Sequence, residues 1–298
     1  MAAEVGTTTT EARKLQLRGE TSINYEEEKY QYENYLPHFV PGLQSPLKEF
    51  SHVDVGLRAD PEKTFLLKAP GVIHEEITPA IGTEIHGVQL SQLDSAQLDE
   101  LALLAAERGV VLFRDQDFAD IGPERQKRYG EHFGPLHVHQ MGGQIKDYPE
   151  LLPVYRDFTA GAVDNEIKDN VTSVKWHSDM SYEMDPIETV HPIVRIHPVT
   201  KRLSLYVNRL YTKRVVGMKQ EESTSLLGFL FDHIERGQDW HLRVHWKQGT
   251  VVVYDNRNTQ HSALRDFRVD EGTTRRHMLR ITPQAERPYF EDLGHLNS

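Results

Sequence analysis

The sequence predicts a mainly β protein with a few helices, built around a β-sandwich or barrel core. Short alternating or apolar runs separated by turns recur, most densely in the last third of the chain, while helical periodicity is confined to three longer stretches. Many short strands joined to a few helices favour packed or closed sheets. The predicted strands are Thr83 to Leu90, Val110 to Phe113, Leu136 to His139, Leu203 to Asn208, Leu242 to Trp246, Thr250 to Tyr254 and His277 to Thr282.

The three predicted helices carry recognisable start or stop signals. Asp94 and Gln97 have the spacing of a capping box at the start of the first, and Pro123 lies in the first turn of the second. Gly237 follows the third, where a glycine typically ends a helix. The predicted limits are Asp94 to Gly109, Gly122 to Gly134 and Lys219 to Glu235.

The charge balance restricts what the protein binds. The 298 residues include 34 Lys and Arg against 45 Asp and Glu, a net charge of -11, and a field of that sign repels phosphate. We therefore expect no nucleic-acid partner, while a local basic pocket for a small anion remains compatible with the composition. The chain has no cysteine, which excludes disulfides, thiolate metal sites and cysteine nucleophiles and fits a reducing compartment.

The N-terminal sequence argues against export, and the hydropathy argues against membrane insertion. The first residues lack the basic and then apolar run of a signal peptide, and no uncharged apolar run is long enough to span a bilayer. We expect a soluble, cytoplasmic protein with no membrane partner. Residues 1–60 are predicted to form a partly irregular N-terminal arm and residues 61–298 a single domain. Arm residues expected to pack on the domain or on a neighbouring subunit of a homo-oligomer, or else to belong to a partly ordered tail, are Tyr25, Tyr30, Tyr32, Tyr35 and Phe39.

Three residues are candidate metal ligands. His177 and Asp179 lie two residues apart in a segment that reads as a strand, so both side chains share one face. His261 ends the polar turn that follows the strand Thr250 to Tyr254. Two histidines and one carboxylate on one face of a metal, with other positions open, is the arrangement used by non-haem Fe(II) oxygenases.

Other interpretations of these residues stay open at this point. His52-Val53-Asp54 has the same spacing as His177-Ser178-Asp179, and His74-Glu75-Glu76 comes close, so the spacing alone is weak evidence. The first of these decoys lies in the irregular arm, where no rigid strand would hold a ligand in place. The alternative for His261 is a turn residue that caps the end of its strand.

A basic cluster follows the third candidate ligand. In a strand Arg276 and Arg280 share one face, and they lie in an otherwise acidic protein. Arginine is the side chain best shaped to hold a carboxylate or sulfonate through two parallel hydrogen bonds. The alternative is a run of charge on a solvated surface.

Several stretches, in one order along nearly the whole chain, resemble a known family. The chain resembles the Fe(II)/2-oxoglutarate-dependent dioxygenases of the taurine dioxygenase type, most closely the fungal sulfonate dioxygenases. The series as a whole is specific, although none of its members is specific alone. The matching stretches are Thr78 to Ile85, Val111 to Gln116, Phe133 to His139, Trp176 to Asp179, His191 to Pro198, Asp255 to Arg257 with Thr259 to His261, and Arg275 to Arg280.

This resemblance implies a fold, a reaction and a set of site residues. The fold is a double-stranded β-helix, the jelly-roll form of a sandwich, and residues 61–298 form the dioxygenase domain. The substrate is a small sulfonate, such as taurine, that is converted to sulfite and an aldehyde with 2-oxoglutarate and O2 as cosubstrates. The implied roles are Fe(II) ligation by His177, Asp179 and His261, pairing of Arg276 with 2-oxoglutarate, and binding of the sulfonate by His139 and Arg280, while His191 and His197 are structural.

The chain departs from the family after the His-x-Asp motif. In relatives several dozen residues separate that part from the stretch that begins at His191, whereas here Tyr182 to Pro186 runs almost directly into it. The missing part normally carries a Gly-Gly-Asp-Thr turn whose threonine helps bind 2-oxoglutarate, and this sequence contains no such turn. We therefore predict a jelly roll shortened in its central region, with a pocket open to water, unless the sequence omits a segment.

Three alternative functions follow from these observations. The same chemistry on another small anion, such as a sulfate ester or an aryloxy-carboxylate, uses the same site. A pseudo-enzyme that binds without turnover is favoured by the missing segment. A zinc hydrolase also fits two histidines and an aspartate, although the sequence contains no His-Glu-x-x-His motif.

Overall fold

The structure, a computed structural model, describes residues 30–39, 50–139, 143–156, 176–179, 190–264 and 276–291. Within these ranges no helix combines the length and apolar character needed to cross a bilayer. The helices are α1 (Thr64–Leu67), α2 (Ser95–Arg108), α3 (Pro123–Glu131) and α4 (Gln220–Arg236). The strands are β1 (Ile73–Glu76), β2 (Thr83–His86), β3 (Val110–Phe113), β4 (Leu151–Arg156), β5 (Val194–Ile196), β6 (Leu203–Leu205), β7 (Val251–Tyr254) and β8 (Arg276–Ile281).

Four strands form the main sheet, in the order β1-β2-β3-β7. The strands β2 and β3 are parallel and are connected through α2, whereas β1 and β7 pair antiparallel with their neighbours. Parallel neighbours need such a crossover because a tight turn cannot join them. Tyr254 at the end of β7 is opposite Val110 at the start of β3. The turn after β7 therefore begins beside the end of α2.

The strand β8 carries the two candidate anion-binding arginines and pairs antiparallel with β4. Arg280 is opposite Leu152 in this pair. Beyond the end of β8, Pro283 forms a bridge to Leu136. The strands β5 and β6 form a separate antiparallel pair.

Residues 30–39 of the predicted arm pack against β8. The hydroxyl of Tyr30 lies 2.7 Å from Nδ1 of His277, and Nε2 of His277 donates to the carbonyl of Tyr35 at 3.0 Å. Because side chains alternate along a strand, His277 and Arg276 point to opposite faces of β8. The arm thus covers the face of the strand that does not carry the arginines. Tyr25 lies outside the described residues.

The first predicted helix is confirmed, together with its capping box and its terminal glycine. Oδ1 of Asp94 accepts from the backbone of Gln97 at 2.9 Å, and Oε1 of Gln97 accepts from the backbone of Asp94 at 3.0 Å. Gly109 ends the helix with φ 73°, a region that L side chains rarely adopt. A Cβ at Gly109 would lie 3.0 Å from Cγ2 of Thr259. The glycine therefore ends α2 and also allows the turn after β7 to approach closely.

Two predicted strands are absent or nearly so, and two others end early, at His86 instead of Leu90 and at Leu205 instead of Asn208. The segment Leu242 to Trp246 is not a strand, and the carbonyl of His245 accepts from Nη1 of Arg114 at 2.7 Å. Of Leu136 to His139, only Leu136 forms a bridge. Alternating side chains indicate which face a residue takes, but a strand also needs a neighbouring backbone in register. The junction of Pro186 and Ile187, where the chain departs from the family, lies outside the described residues.

The main core lies between α2 and the sheet. Its fully buried members come from both elements and include Leu101, Ile85 and Phe113. Glu100, also on α2, is fully buried, and its carboxylate accepts from the backbone of Phe65 at 3.2 Å and of Leu66 at 2.6 Å. These N–H groups belong to the first turn of α1, where no helical carbonyl is available. A buried side chain of α2 thus caps the N-terminus of α1.

We expect Glu100→Ala to lower the free energy of unfolding by about 2 to 3 kcal/mol, because two buried N–H groups lose their acceptor. Urea unfolding of both proteins measures this difference. The matched control is Glu131→Ala on the exposed part of α3, with an expected change within about 0.5 kcal/mol. Equal effects of the two substitutions would contradict the capping role of Glu100.

Candidate metal centre

His177 and His261 are paired through their backbones. The N–H of His177 donates to the carbonyl of His261 at 3.0 Å, and the N–H of His261 donates to the carbonyl of His177 at 2.8 Å. Residues that exchange both hydrogen bonds are directly opposite each other in antiparallel chains, and their side chains share one face. The ring centroids are accordingly 4.4 Å apart. The main chain alone therefore brings the two imidazoles together.

Asp179 joins the two histidines, as expected for a residue two positions along the same extended segment. Nε2 of His177 lies 3.7 Å from Oδ1 of Asp179, and Nε2 of His261 lies 3.7 Å from Oδ2. One potential ligand atom from each residue lies within 4.8 Å of the other two. Within the described ranges this is the only such group of three His, Cys, Asp or Glu residues. The structure thus brings the three predicted ligands together, and metal binding itself stays a prediction.

The donor set fits a divalent transition metal. A separation of 3.7 Å is too long for a hydrogen bond, yet it suits two ligands each about 2.1 Å from one ion. Burial lowers the pKa of His261 to about 4, so the imidazole is neutral near pH 7, as metal ligation requires. Nδ1 of His261 makes no hydrogen bond within the described part of the chain. Imidazole and carboxylate together are ligands that iron accepts.

The carboxylate of Asp179 is held from two directions. Nη1 of Arg280 donates to Oδ2 at 2.6 Å, and the hydroxyl of Tyr254 donates to the same oxygen at 3.0 Å. Burial opposes ionisation of Asp179, but the charge of Arg280, the neighbouring His261 and the hydrogen bonds from Tyr254 and Arg280 together outweigh burial, so the pKa of Asp179 lies below its ordinary value. The backbone is clamped by Asn256, whose amide donates to the carbonyl of Asp179 at 2.7 Å and accepts from its N–H at 2.9 Å. The candidate ligand is therefore both ionised and fixed.

The turn from Asp255 to His261 is anchored to several elements. The amide of Asn258 donates to the carbonyl of Ala106 on α2 at 3.0 Å. The amide of Gln260 donates to the carbonyl of Val207 at 2.6 Å, beyond β6. Irregular backbone needs such partners because it lacks the ladder of a sheet. The position of His261 thus depends on contacts spread across the domain.

A buried ionic cluster supports the start of this turn. Nη2 of Arg257 lies 2.6 Å from Oδ2 of Asp255, and its Nη1 lies 2.5 Å from Oδ2 of Asp54. Nε2 of His197 lies 2.9 Å from Oδ2 of Asp255. Burial opposes the charge on Asp255, but hydrogen bonds from Arg257 and His197 hold the pKa of this carboxyl well below its usual range. The cluster ties the arm, through Asp54, to the turn that ends in His261.

The decoy motifs have other structural roles. Oδ1 of Asp54 accepts from the backbone of Gly56 at 2.7 Å, in addition to the ion pair with Arg257. His74 lies exposed on β1. His197 is fully buried. Its Nδ1 accepts from the backbone N–H groups of Val199 and Thr200, and its Nε2 lies 2.9 Å from Oδ2 of Asp255. Spacing alone could not separate these residues from His177 and Asp179, because the partner backbone decides which pair meets a third ligand.

Sequence reasoning missed the roles of Tyr254 and Asn256. Val251 and Val253 pack against the main core, so strand alternation places Tyr254 on the opposite face of β7. The alternation of this strand therefore predicts that the side chain of Tyr254 points away from the core. The clamp formed by Asn256 had no sequence signal, since it depends on a backbone brought in from residue 179.

The predicted anion-binding residues lie along β8 and beside its end. Arg280 reaches the candidate ligands through Asp179. Leu136, three residues before His139, forms a bridge to Pro283 beyond the end of β8. Arg276 begins β8, on the same face as Arg280. Their contacts with 2-oxoglutarate or a sulfonate stay predictions.

Comparison with known proteins points to one family. The family model described as "Taurine catabolism dioxygenase TauD, TfdA family" matches residues 74–190 and 185–282. The "Alpha-ketoglutarate-dependent sulfonate dioxygenase" of Saccharomyces cerevisiae is 36% identical over 339 residues, covering 91% of this chain and 81% of the yeast protein. The "Alpha-ketoglutarate-dependent dioxygenase cnsP" of Penicillium expansum is 36% identical over 326 residues, covering 86% of this chain and 87% of the relative.

A solved structure supports the same fold. The crystal structure of a putative alpha-ketoglutarate-dependent taurine dioxygenase from Burkholderia xenovorans superposes with a TM-score of 0.56 at 24% identity, covering 73% of this chain and 91% of the other. At that identity the likeness is one of fold. It confirms the jelly-roll fold of the taurine dioxygenase type that the resemblance implied.

We expect Asp255→Asn to destabilise the protein by about 3 to 5 kcal/mol, because it removes one partner of a buried ionic cluster. The depressed pKa of Asp255 implies that its charge stabilises the fold above the ordinary carboxyl pKa of about 3.9 and ceases to do so as the pH falls toward the folded-state pKa. The difference between the two proteins should therefore be constant from pH 8 to about pH 5 and shrink below about pH 4.

Urea unfolding across this pH range measures the effect. Asp239→Asn, at an exposed position, serves as the control and should change stability by less than about 0.5 kcal/mol. A difference that grew on acidification would show that the charge of Asp255 does not stabilise the fold.

Proposed function

Because the chain belongs to the TauD, TfdA family of taurine catabolism dioxygenases, we propose that it is an Fe(II)- and 2-oxoglutarate-dependent dioxygenase that hydroxylates a small sulfonate. The yeast relative is named as a sulfonate dioxygenase, which supports this substrate class. The products are sulfite and an aldehyde, together with succinate and CO2.

The observation that carries this proposal is the convergence of His177, Asp179 and His261 on one face of a backbone bridge. Two neutral imidazoles and one carboxylate bring a single negative charge to the ion and leave other coordination positions for cosubstrates. Fe(II) held there, with 2-oxoglutarate and O2, supplies the oxidation that a protein side chain cannot perform. The three residues hold the ion, and Asn256 and the turn contacts orient them.

Two arginines on β8 are the proposed anion anchors. Arg276 pairs with the distal carboxylate of 2-oxoglutarate, and Arg280 holds the substrate sulfonate with His139. Arg280 already lies 2.6 Å from Asp179, so its guanidinium borders the candidate ligands and can reach an anion beside them. A planar guanidinium matches a sulfonate through parallel hydrogen bonds. In an acidic chain this local positive charge favours a small anionic substrate.

The atoms of the proposed reaction balance without a further reactant. One oxygen atom of O2 enters succinate as 2-oxoglutarate loses CO2, and the other enters the C–H bond next to the sulfonate. The resulting hydroxyl loses its proton to form an aldehyde carbonyl while the C–S bond breaks. The sulfur keeps the electron pair of that bond and leaves as sulfite.

We also propose that the domain, residues 61–298 after an arm of residues 1–60, is shortened between Asp179 and His191. The yeast relative aligns over 339 residues, whereas 91% of 298 residues is about 271, so about 68 aligned positions have no residue of this chain. The two family matches overlap at residues 185–190, which supports an interruption at that place. The sequence contains no Gly-Gly-Asp-Thr motif, which in the family carries the threonine that helps bind 2-oxoglutarate.

The shortened centre favours one second candidate function, a protein that binds the metal and a small anion without turnover. The His-Asp-His group and Arg280 lie outside the shortened stretch of the sequence. Shielding of the oxidant from water is needed for turnover but not for binding. The same anion site would then serve binding alone.

Anaerobic addition of Fe(II) and 2-oxoglutarate should produce the weak visible charge-transfer band of their complex at this site. We expect His177→Ala to abolish the band, because a ligand is lost. His74→Ala, in the exposed decoy motif, should leave the band unchanged. A full band in the His177→Ala protein would refute the ligand assignment.

Under air, we expect sulfite and succinate to form in equal amounts from taurine or a short alkyl sulfonate. Sulfite is measured colorimetrically and succinate by mass spectrometry, with His177→Ala as the inactive control. If an alkyl sulfate ester yields sulfate and succinate and the sulfonates yield no sulfite, the substrate is a sulfate ester and not a sulfonate. If the charge-transfer band forms but none of these compounds yields succinate, the result supports a protein that binds without turnover.

A further inference from the structure

Tyr254 is placed beside the candidate metal ligands by its strand. It is the last residue of β7 and is opposite Val110 of β3. Val251 and Val253 face the main core, so Tyr254 projects from the other face. Its ring centroid lies 5.7 Å from that of His261. The position of the phenol is thus set by the main sheet rather than by a loop.

The hydroxyl of Tyr254 makes a directed contact with the metal-binding carboxylate. It lies 3.0 Å from Oδ2 of Asp179. An ionised carboxylate only accepts, so the phenol is the donor.

Both oxygens of Asp179 face the imidazoles. Oδ1 lies 3.7 Å from Nε2 of His177 and Oδ2 lies 3.7 Å from Nε2 of His261, while Oδ2 also accepts from Tyr254 and Arg280. Hydrogen bonds to a ligating carboxylate orient it and are part of the metal site. The donors on Oδ2 therefore hold the carboxylate between the two imidazoles.

The two donors on Oδ2 differ in what else they can bind. Arg280 is charged and, under the proposed function, binds the substrate anion. Tyr254 is shorter and is held by a strand of the main sheet, so its hydroxyl is directed at Asp179 by the backbone. Tyr254 is therefore a donor to Asp179 that does not take part in anion binding under the proposed function.

We infer that Tyr254 is a positioning residue of the metal centre, which holds the Asp179 carboxylate through its hydroxyl. This inference rests on the proposed function, since it requires that His177, Asp179 and His261 bind a divalent metal. It assigns to Tyr254 a role in metal affinity that does not depend on turnover or on the identity of the sulfonate.

The test is titration of the full chain with Co(II), followed by calorimetry and by the visible absorption of the bound ion. Tyr254→Phe removes one oxygen and keeps the ring that packs beside His261. We expect a Kd for Co(II) that is about 10- to 100-fold weaker, with a changed visible spectrum. Thermal unfolding without metal should remain cooperative, so that weaker Co(II) binding is not the result of a lost fold.

The matched control is Tyr129→Phe, at another partly buried tyrosine, which packs on Phe118 of the main core. This variant should bind Co(II) with the parental Kd and spectrum. If the parent protein binds Co(II) and Tyr254→Phe shows the same Kd and spectrum, the role of Tyr254 is overturned and the metal centre is not. Failure of the parent protein to bind Co(II) would overturn the metal centre and this inference with it.

Discussion

The two hydrogen bonds between the backbones of His177 and His261 are the contact on which the rest of the site depends. They make two distant segments antiparallel neighbours, and that geometry alone puts both imidazoles on one face. Asp179 then follows by alternation along its own segment. The backbone pairing puts the three residues on one face, and side-chain contacts from the turn then fix the two segments.

That bridge is a single pair of residues in the described structure, so its position must be set by its surroundings. Asn256 clamps one of the two segments, and Asn258 and Gln260 tie the other to α2 and to the chain beyond β6. Gly109 makes room where the turn approaches the end of the helix. The site therefore draws on the main sheet, on α2 and on the loops between them.

Arginines face carboxylates on both sides of the turn. On one side Arg257 pairs with the buried carboxylates of Asp255 and Asp54. On the other, Arg280 lies against Asp179. An unpaired buried carboxylate would take up a proton, and a protonated Asp179 would be a poor metal ligand. Each arginine thus keeps a carboxylate ionised where the site needs it, within a chain of net charge -11.

Elements whose start and stop signals lie in neighbouring residues could be predicted from the amino-acid sequence. The capping box of Asp94 and Gln97, the stop at Gly109 and the strand before Asp255 all appear where predicted. The sequence also determined which residues are suited to bind a metal, through alternation at His177 and Asp179. Tertiary contacts select His177 and Asp179, and not the equally spaced His52 and Asp54, as the pair that meets His261. They also bring Tyr254 and Asn256 to this group. These choices depend on backbone pairing between distant segments, and residue spacing carries no information about which distant segment becomes a neighbour.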